Sequence, residues 1–212
     1  VLEQLARDVT GWDARAVEYF QRLATTQHMN HPRLHNLSVT RIRDAAALEW
    51  LGGAFDGSAR TVDVRRIESG RGRHNIPNVG LFLWRIRAHT RTLAPAARAA
   101  PRCYRASPLG QDAPLYNRPL AEDDITHLAE PDNVPLPLSR RRLARDLALH
   151  YGHRADAAAV VDNPNPSLEL WVEGALIARD RVHICNLSDD GGGWTHTPPP
   201  DGHYAIDPVL GR

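Results

Sequence analysis

The stretch VGLFLWRIRA, residues 79–88, decides the fold class because it is the clearest β-strand pattern in the chain. It begins as a continuous apolar run and ends in alternation of arginine with apolar residues. This pattern is typical of a central strand whose far end reaches solvent. Residues 61–65 alternate and predict a second strand. Trp84, and Trp171 in a later strand, are predicted core residues.

Helical patterns lie on both sides of these strands. Residues 1–25 are predicted to be helical because apolar side chains recur there at helical spacing. Asp44 is predicted to cap a short helix that ends near residue 51. Ser139 is predicted to cap a longer helix that ends near residue 151. The chain therefore combines helices and strands without a strict alternation of the two.

Residues 89–138 are crowded with proline and polar residues and predict no long element. Because long structureless loops are uncommon in compact domains, this segment is expected to be tied down by partners or by its own domain. We interpret it as an extended wrapping segment, which gains order from the surfaces that it contacts.

The sequence pattern becomes typical of β-strands after a proline- and asparagine-rich break at 163–166. Residues 168–172 and 181–187 alternate like strands, and Glu173-Gly174 is a tight-turn signal between them. We therefore predict a terminal hairpin in this part of the chain.

These patterns together predict the α+β class. A mixed domain over 1–155 is predicted, with a helical N-terminal part and central β-strands. A small β-rich segment over 156–212 is predicted to follow it. The chain lacks an initiator methionine and stops just after an Asp-Pro turn, which we interpret as a fragment of a longer protein that continues into a downstream domain.

Composition excludes several function classes. Of the 212 residues, 42% are hydrophobic and 24% charged, as in ordinary globular domains. All 26 basic residues are arginine and the net charge is only +1, so no excess field favours nucleic acid. No apolar run predicts membrane insertion, and residues 1–10 lack the basic region followed by an apolar stretch that would predict a signal peptide. Cys103 and Cys185 match no metal or disulfide framework, which predicts reduced thiols and folding in the cytosol.

Two motifs were considered as ligand sites. His28, His31 and His35 would share one face of a helix and could bind zinc, but Pro32 argues against a helix there. The run SGRGR at 69–73 offers glycine amides and arginines to an anion. Its spacing is neither a Walker A motif nor a Rossmann fingerprint, and a strand follows it. We therefore predict no metal and no cofactor.

Acidic pairs give no better support for catalysis. Asp123-Asp124 with Glu122, and Asp189-Asp190, could in principle act as acid and base in glycoside cleavage. Neighbours on an extended chain point in opposite directions, so solvated loops are the expected role. No serine-hydrolase, zinc-protease or Cys–His signature occurs. We predict no catalytic residues and no enzymatic activity.

The predicted interface consists of four residues in two loops. Arg71, Arg73 and Asn75 lie in the glycine- and arginine-rich segment 68–78, which is predicted to be an exposed loop. Arginine is enriched at protein interfaces, so this loop is predicted to dock on an acidic partner. Trp194 follows three glycines and is predicted to be exposed, as suits a protein interface or a sugar-stacking site.

Several long phrases together resemble a family of large bacterial proteins associated with phage-tail-like and extracellular contractile injection gene clusters. The phrases are LARDVTGW at 5–12, RRIESGRGR at 65–73, NIPNVGLFLWR at 75–85, SPLGQDAPLYN at 107–117 and IDPVLGR at 206–212. The resemblance implies a structural role at a baseplate or tail tip. It also implies further β-rich sequence downstream, such as a β-helix, and it brings no catalytic residues.

Three functions follow as hypotheses. The first is a structural component of a phage-tail-like contractile particle, which contacts other tail or baseplate proteins or further copies of itself. It would assemble in the cytoplasm and enter a particle that can be released. The second is the adaptor region of a β-helix protein that binds or degrades a cell-surface polysaccharide. The third is a small enzyme that binds a metal or a nucleotide through the histidines or the SGRGR run.

Overall fold

The computed structural model describes residues 1–23, 41–69, 71–86, 89–120, 126–152, 166–196 and 200–212. Short helices and small two-stranded sheets make up this part of the chain, which confirms the predicted α+β class. The chain divides into two compact units, Val1–Arg85 with Glu122–Asn133 and Ile86–Ala121 with Val134–Arg212. No helix within the described ranges is long and apolar enough to cross a membrane.

The described residues of the first unit form two α-helices and one antiparallel strand pair, besides short 3-10 turns. Its elements are α1 (Leu2–Thr10), β1 (Asp13–Glu18), α2 (Ala45–Glu49) and β2 (Val79–Trp84). The prediction of a helix over 1–25 is wrong for residues 11–18, and Tyr19–Arg22 form only a 3-10 turn. Gly11 takes a left-handed conformation with φ of 67°, and its N–H donates to the Arg7 carbonyl at 2.7 Å, which ends α1. The chain then leaves the helix and pairs with β2, so long-range pairing overrides the helical spacing.

The strand predicted at 79–88 exists as β2, but it is not a central strand. In the described part of the chain its partner is β1, in a register that runs from Asp13 opposite Trp84 to Glu18 opposite Val79. One face of β2 carries Phe82 and Trp84, and the Trp84 ring lies 5.9 Å from that of Phe55. Trp84 is therefore half-buried rather than fully in the core.

A buried carboxylate joins the elements of the first unit. Glu3 on α1 is only 3% exposed. It accepts the Ala16 N–H of β1 at 2.8 Å and the Ala129 N–H at 3.2 Å. Arg15 on β1 donates to the carbonyls of Ala54 and Ala129. One acidic and one basic side chain therefore tie α1, β1 and the segment around Ala129 to each other.

Two further aspartates fix α2 and the segment that follows it. Asp44 accepts the Ala47 N–H at 3.1 Å, which confirms the predicted cap, although α2 ends earlier than expected. Asp56 accepts the N–H groups of Gly52 and Ser58, both at 2.9 Å, and pairs with Arg60 at 2.7 Å. Burial alone would raise the pKa of Asp56, but these donors hold it well below its usual value.

The second unit consists of short strand pairs and two short helices. Its elements are β3 (Ala97–Ala100), β4 (Cys103–Arg105), α3 (Arg140–Arg145), α4 (Leu147–His150), β5 (Trp171–Val172), β6 (Ala175–Leu176), β7 (Val182–Ile184) and β8 (Tyr204–Ile206). β3 pairs with β4 and β5 with β6 in antiparallel fashion, whereas β7 and β8 are parallel. Ser139 accepts the Arg142 N–H at 3.0 Å, as its predicted role as a cap requires, but the helix predicted to end near residue 151 is divided at Asp146 into α3 and α4.

The tight turn predicted at Glu173-Gly174 is present, but the hairpin around it is smaller than expected. Both residues have positive φ, 52° and 81°, as a type I′ turn requires. The turn joins β5 to β6, so the predicted strand at 181–187 is not its partner. The described part of that predicted strand, β7, pairs with β8 instead. The sequence of β8 showed no strand pattern, so this pairing was not predicted.

The described residues do not divide where the sequence predicted, at 155/156. Tyr151 is fully buried, and its hydroxyl donates to the Ile177 carbonyl at 2.7 Å. The Leu168 N–H donates to the His150 carbonyl at 3.0 Å. The helical segment before the predicted boundary therefore packs into the same unit as the β-rich sequence. The core cluster consists of Tyr151, Ile177, Val182 and Ile206.

The proline-rich segment 89–138 was expected to lack long elements, and its described part contains the short pair β3–β4 and a single 3-10 turn at Pro131–Asn133. Three of its N–H groups donate to the C-terminal turn: Ala106 to Gly211 at 2.8 Å, Ala113 to Leu210 at 3.1 Å and Leu115 to Pro208 at 2.8 Å. The buried Asn117 side chain also accepts the Leu136 N–H at 2.6 Å. The second unit itself therefore orders residues 106–117 of this segment, which was interpreted as wrapping a neighbour. The described residues 126–133 belong to the first unit.

Replacement of Glu3 by alanine tests the role of its carboxylate. Glu3→Ala leaves the Ala16 and Ala129 N–H groups without their acceptor, so we expect a loss of about 2–4 kcal/mol in the free energy of unfolding. Urea denaturation measures this change. Gln4→Ala on the exposed side of α1 is the control, since Gln4 bonds only the exposed Asp8. A Glu3→Ala effect no larger than that of the control would refute the role.

Candidate interface surfaces

The loop around the predicted interface residues is built on Asp63. Residues 61–65 were predicted to form a strand, but Asp63 bends the chain by accepting the Arg65 N–H at 3.0 Å and the Gly72 N–H at 3.1 Å. Hydrogen bonds hold the pKa of Asp63 well below its usual value, and those from the Arg65 side chain contribute more than those from the two backbone N–H groups. Gly72 has φ of 74°, and a Cβ there would lie 1.8 Å from the Arg65 carbonyl oxygen. The loop therefore requires glycine at this position.

The three loop residues predicted at the interface have different surroundings. Arg73 donates to the Gly52 carbonyl at 3.1 Å, and the Asn75 amide donates to the Asp63 carbonyl at 3.2 Å. Both side chains therefore hold the loop in shape. Arg71 is exposed and is the residue of the three that is best placed to meet a partner. The interface role of all three stays a prediction.

The same geometry argues against the anion-binding site that residues 69–73 could form. The Gly72 N–H, one of the amides that would face a phosphate, donates to the Asp63 carboxylate. An open depression nearby is lined by Arg60, Thr61, Val62, Asp63, Arg65 and His74. Its two arginines pair with Asp56 and Asp63, so their charge is already compensated.

Trp194 is half-buried, contrary to the prediction that it is exposed. The Arg212 guanidinium lies over its ring, 5.0 Å from the centroid, and occupies one face by a cation–π contact. Trp194 also forms an isolated antiparallel bridge with Asp189, which folds the glycine-rich loop back on itself. The ring thus supports Arg212 inside the second unit. Trp171 was predicted to lie in the core, but it is 43% exposed.

Arg212 is the centre of an ionic clamp, which we define as Arg212 with Asp112 and Asp189. Its side chain is 2% exposed and lies 2.8 Å from an oxygen of each carboxylate, and it also donates to the Leu187 carbonyl at 2.8 Å. Hydrogen bonds from Arg212, and then from Arg105, lower the pKa of Asp112 to about 2. Arg212 also lowers the pKa of Asp189. The clamp is therefore fully charged at neutral pH.

A second carboxylate holds the turn from which Arg212 projects. Asp207 is fully buried and binds the Arg140 guanidinium through two parallel contacts of 2.9 and 2.7 Å. The N–H groups of Leu187 and Val209 donate to the same carboxylate. Burial would raise the pKa of Asp207, but Arg140 and these donors together keep it below its usual value.

An apolar surface that the residue patterns above did not single out lies on α1. Leu2, Leu5 and Val9 are 50%, 57% and 74% exposed, whereas Glu3 and Ala6 face the interior. We call Leu2, Leu5 and Val9 the α1 stripe. Their i, i+3, i+7 spacing places them on one side of the helix, about a quarter turn from the buried side. The helix thus buries a carboxylate and leaves its aliphatic residues in solvent.

A second apolar row lies on β2. Val79, Leu81 and Leu83 alternate along one face of the strand and are 48%, 49% and 36% exposed. Their partners on β1 are Glu18, Ala16 and Ala14, which are too small or too polar to cover them. We call these three residues the β2 row. Side chains alternate between the two faces of a strand, and the face of β2 that carries Trp84 packs toward Phe55. The β2 row therefore lies on the other face.

The other sequence candidates gave no site in the described residues. His28, His31 and His35, and the acidic run 122–124, lie outside these residues. Within them, no group of three or more His, Cys, Asp or Glu side chains is placed to hold a metal ion. Cys103 and Cys185 are both free thiols. Asp189 of the second acidic pair belongs to the ionic clamp.

Comparison of the chain with family models, with curated proteins and with solved structures gives no significant match. The resemblance of the sequence phrases to tail-like particle proteins therefore stays a prediction. The functional argument rests on that resemblance and on the surfaces described above.

Acidification tests the ionic clamp. The pKa of Asp112 falls from 3.8 to about 2 on folding, and those of Asp189 and Asp207 are lowered too. The unfolded chain therefore binds more protons between these values, so stability is present above about pH 4 and is lost as the pH falls toward about 2. Urea midpoints measured from pH 5 to pH 2 report this loss.

The variant Arg212→Met separates the clamp from other carboxylates of the chain. Without the guanidinium, the pKa values of Asp112 and Asp189 return toward 3.8, so the urea midpoint of the variant should fall less steeply with acid than that of the wild type. The reference is Arg91→Met, an exposed arginine. Equal steepness in wild type and Arg212→Met would contradict the assignment.

Proposed function

We propose that this chain is a non-catalytic assembly component of a phage-tail-like contractile particle, at its baseplate or tail tip. The observation that carries the proposal is the α1 stripe, three aliphatic side chains that are half or more exposed on one helix. The kind of particle is inferred from the resemblance of the sequence to tail-like particle proteins. The stripe gives the surface by which the chain would join it.

The physical argument concerns the orientation of α1. A surface helix ordinarily turns its apolar side chains inward, where each buried Leu or Val contributes roughly 1.5–3 kcal/mol. Here the inward position is taken by Glu3, whose two hydrogen bonds fix the helix with its leucines outward. Exposed apolar surface on a rigid element is typical of a protein-binding site.

The partner that fits the stripe is an apolar groove or amphipathic helix of a neighbouring particle protein. The spacing i, i+3, i+7 is that of the anchor residues of a helix that lies in a groove. The polar side chains Gln4 and Asp8 lie beside the stripe, on the part of α1 that faces away from Glu3, where they form a hydrogen bond of 2.8 Å and would stay in solvent. Because Glu3 already holds the helix in place, little ordering cost opposes docking.

The test replaces the stripe with charge. In Leu5→Glu with Val9→Glu, two carboxylates enter the surface that would be buried, so incorporation into particles should fall by roughly tenfold or more. Both positions are exposed, so the melting temperature should change by no more than a few degrees. Incorporation is measured by co-sedimentation with sheath and tube proteins from the source bacterium.

Two further variants sharpen the result. Gln4→Glu places a carboxylate on the polar side of α1 and should leave incorporation unchanged. Arg71→Ala tests the 68–78 loop separately from the stripe. Normal incorporation of the Leu5/Val9 variant would exclude the stripe as the interface. A wild-type protein that stays free in the soluble fraction would refute the assembly function as a whole.

A further inference from the structure

A pair of histidines in the second unit lies outside every surface described so far. His183 is on β7, and His203 directly precedes β8, the strand that pairs with β7 in parallel. The Nε2 atom of His183 lies 2.9 Å from the Nδ1 atom of His203, and the ring centroids are 5.1 Å apart. His183 is exposed and His203 half-buried, so an ion from solvent can reach both rings.

We propose that His183 and His203 form a two-histidine chelating site for a divalent transition-metal ion. A neutral imidazole has one N–H and one nitrogen lone pair, and the lone pair is what binds a metal. The contact between the rings is a hydrogen bond from one nitrogen to the other. Exchange of that N–H proton to the far nitrogen of the donor ring, through solvent, leaves both facing nitrogens as metal ligands.

The distance between the nitrogens suits one ion. Two histidine nitrogens that bind the same ion at about 2.0–2.1 Å and at right angles to each other are about 2.9 Å apart. This is the separation of Nε2 and Nδ1 in the structure, where the two nitrogens point at each other, so both rings would turn to direct their lone pairs at the ion. Adjacent ligands at right angles are typical of the tetragonal and octahedral geometries that Cu²⁺ and Ni²⁺ adopt, whereas tetrahedral zinc requires a wider separation.

Water would complete the coordination. Among the described residues no third His, Cys, Asp or Glu joins the two rings in a ligand cluster. A two-ligand site of this kind binds reversibly, and the ion would join β7 to the residue that directly precedes β8.

Isothermal titration of the full 212-residue chain with NiCl₂ and with CuCl₂ tests the site. We expect saturable binding that His183→Ala and His203→Ala each weaken by roughly tenfold or more, because a chelate is then reduced to a single ligand. Cu²⁺ should bind more tightly than Ni²⁺. The ion should also raise the melting temperature of the wild type, and not that of either variant, since it binds only the folded pair.

Two controls make the outcomes decisive. The triple variant His28→Ala, His31→Ala, His35→Ala removes the other histidine cluster of the sequence and should bind as the wild type does. His183→Asn keeps a hydrogen-bonding side chain, so its metal-free melting temperature reports whether the fold survives. Binding that persists in the His183 variants, or that disappears in the triple variant, would overturn the proposal, as would no saturable binding by the wild type.

Discussion

The buried carboxylate of Asp207 is the constraint on which the second unit depends. It accepts hydrogen bonds from Arg140 and from the N–H groups of Leu187 and Val209, and so it fixes the C-terminal turn. The carbonyls of this turn accept N–H groups of the proline-rich segment, and Arg212 projects from the same turn into the ionic clamp. A segment with few hydrogen-bonding partners of its own is thereby ordered without a regular sheet.

The first unit uses the same device with Glu3. Two-stranded sheets are marginal by themselves, since they lack neighbouring strands to satisfy their outer edges. Glu3 supplies an acceptor to β1 and to Ala129 from a helix that would otherwise contact them only by packing. A buried charge stabilises a fold only when its hydrogen bonds are complete, which makes such residues specific organisers of short elements. The orientation of α1, and hence of its stripe, follows from this one side chain.

Local signals in the sequence were sufficient where the determinant is local. The caps at Asp44 and Ser139, the turn at Glu173-Gly174 and the apolar run of β2 were all predicted, because each depends on residues a few positions apart. The predictions failed where the partner is distant. Residues 13–18 have helical spacing but pair with β2, and β7 pairs with a segment that carries no strand pattern. Asp63 abolished a predicted strand by bonding its own neighbours.

The surfaces were harder to predict than the elements, for a related reason. Trp194 follows three glycines, as an exposed residue would, but Arg212 covers it from another part of the chain. The spacing of Leu2, Leu5 and Val9 is visible in the sequence, yet spacing alone implies a buried face. Only the burial of Glu3 shows that the aliphatic side points outward. A helix that buries its acid and exposes its leucines gives up apolar burial within its own unit, and a partner that covers the stripe would restore it.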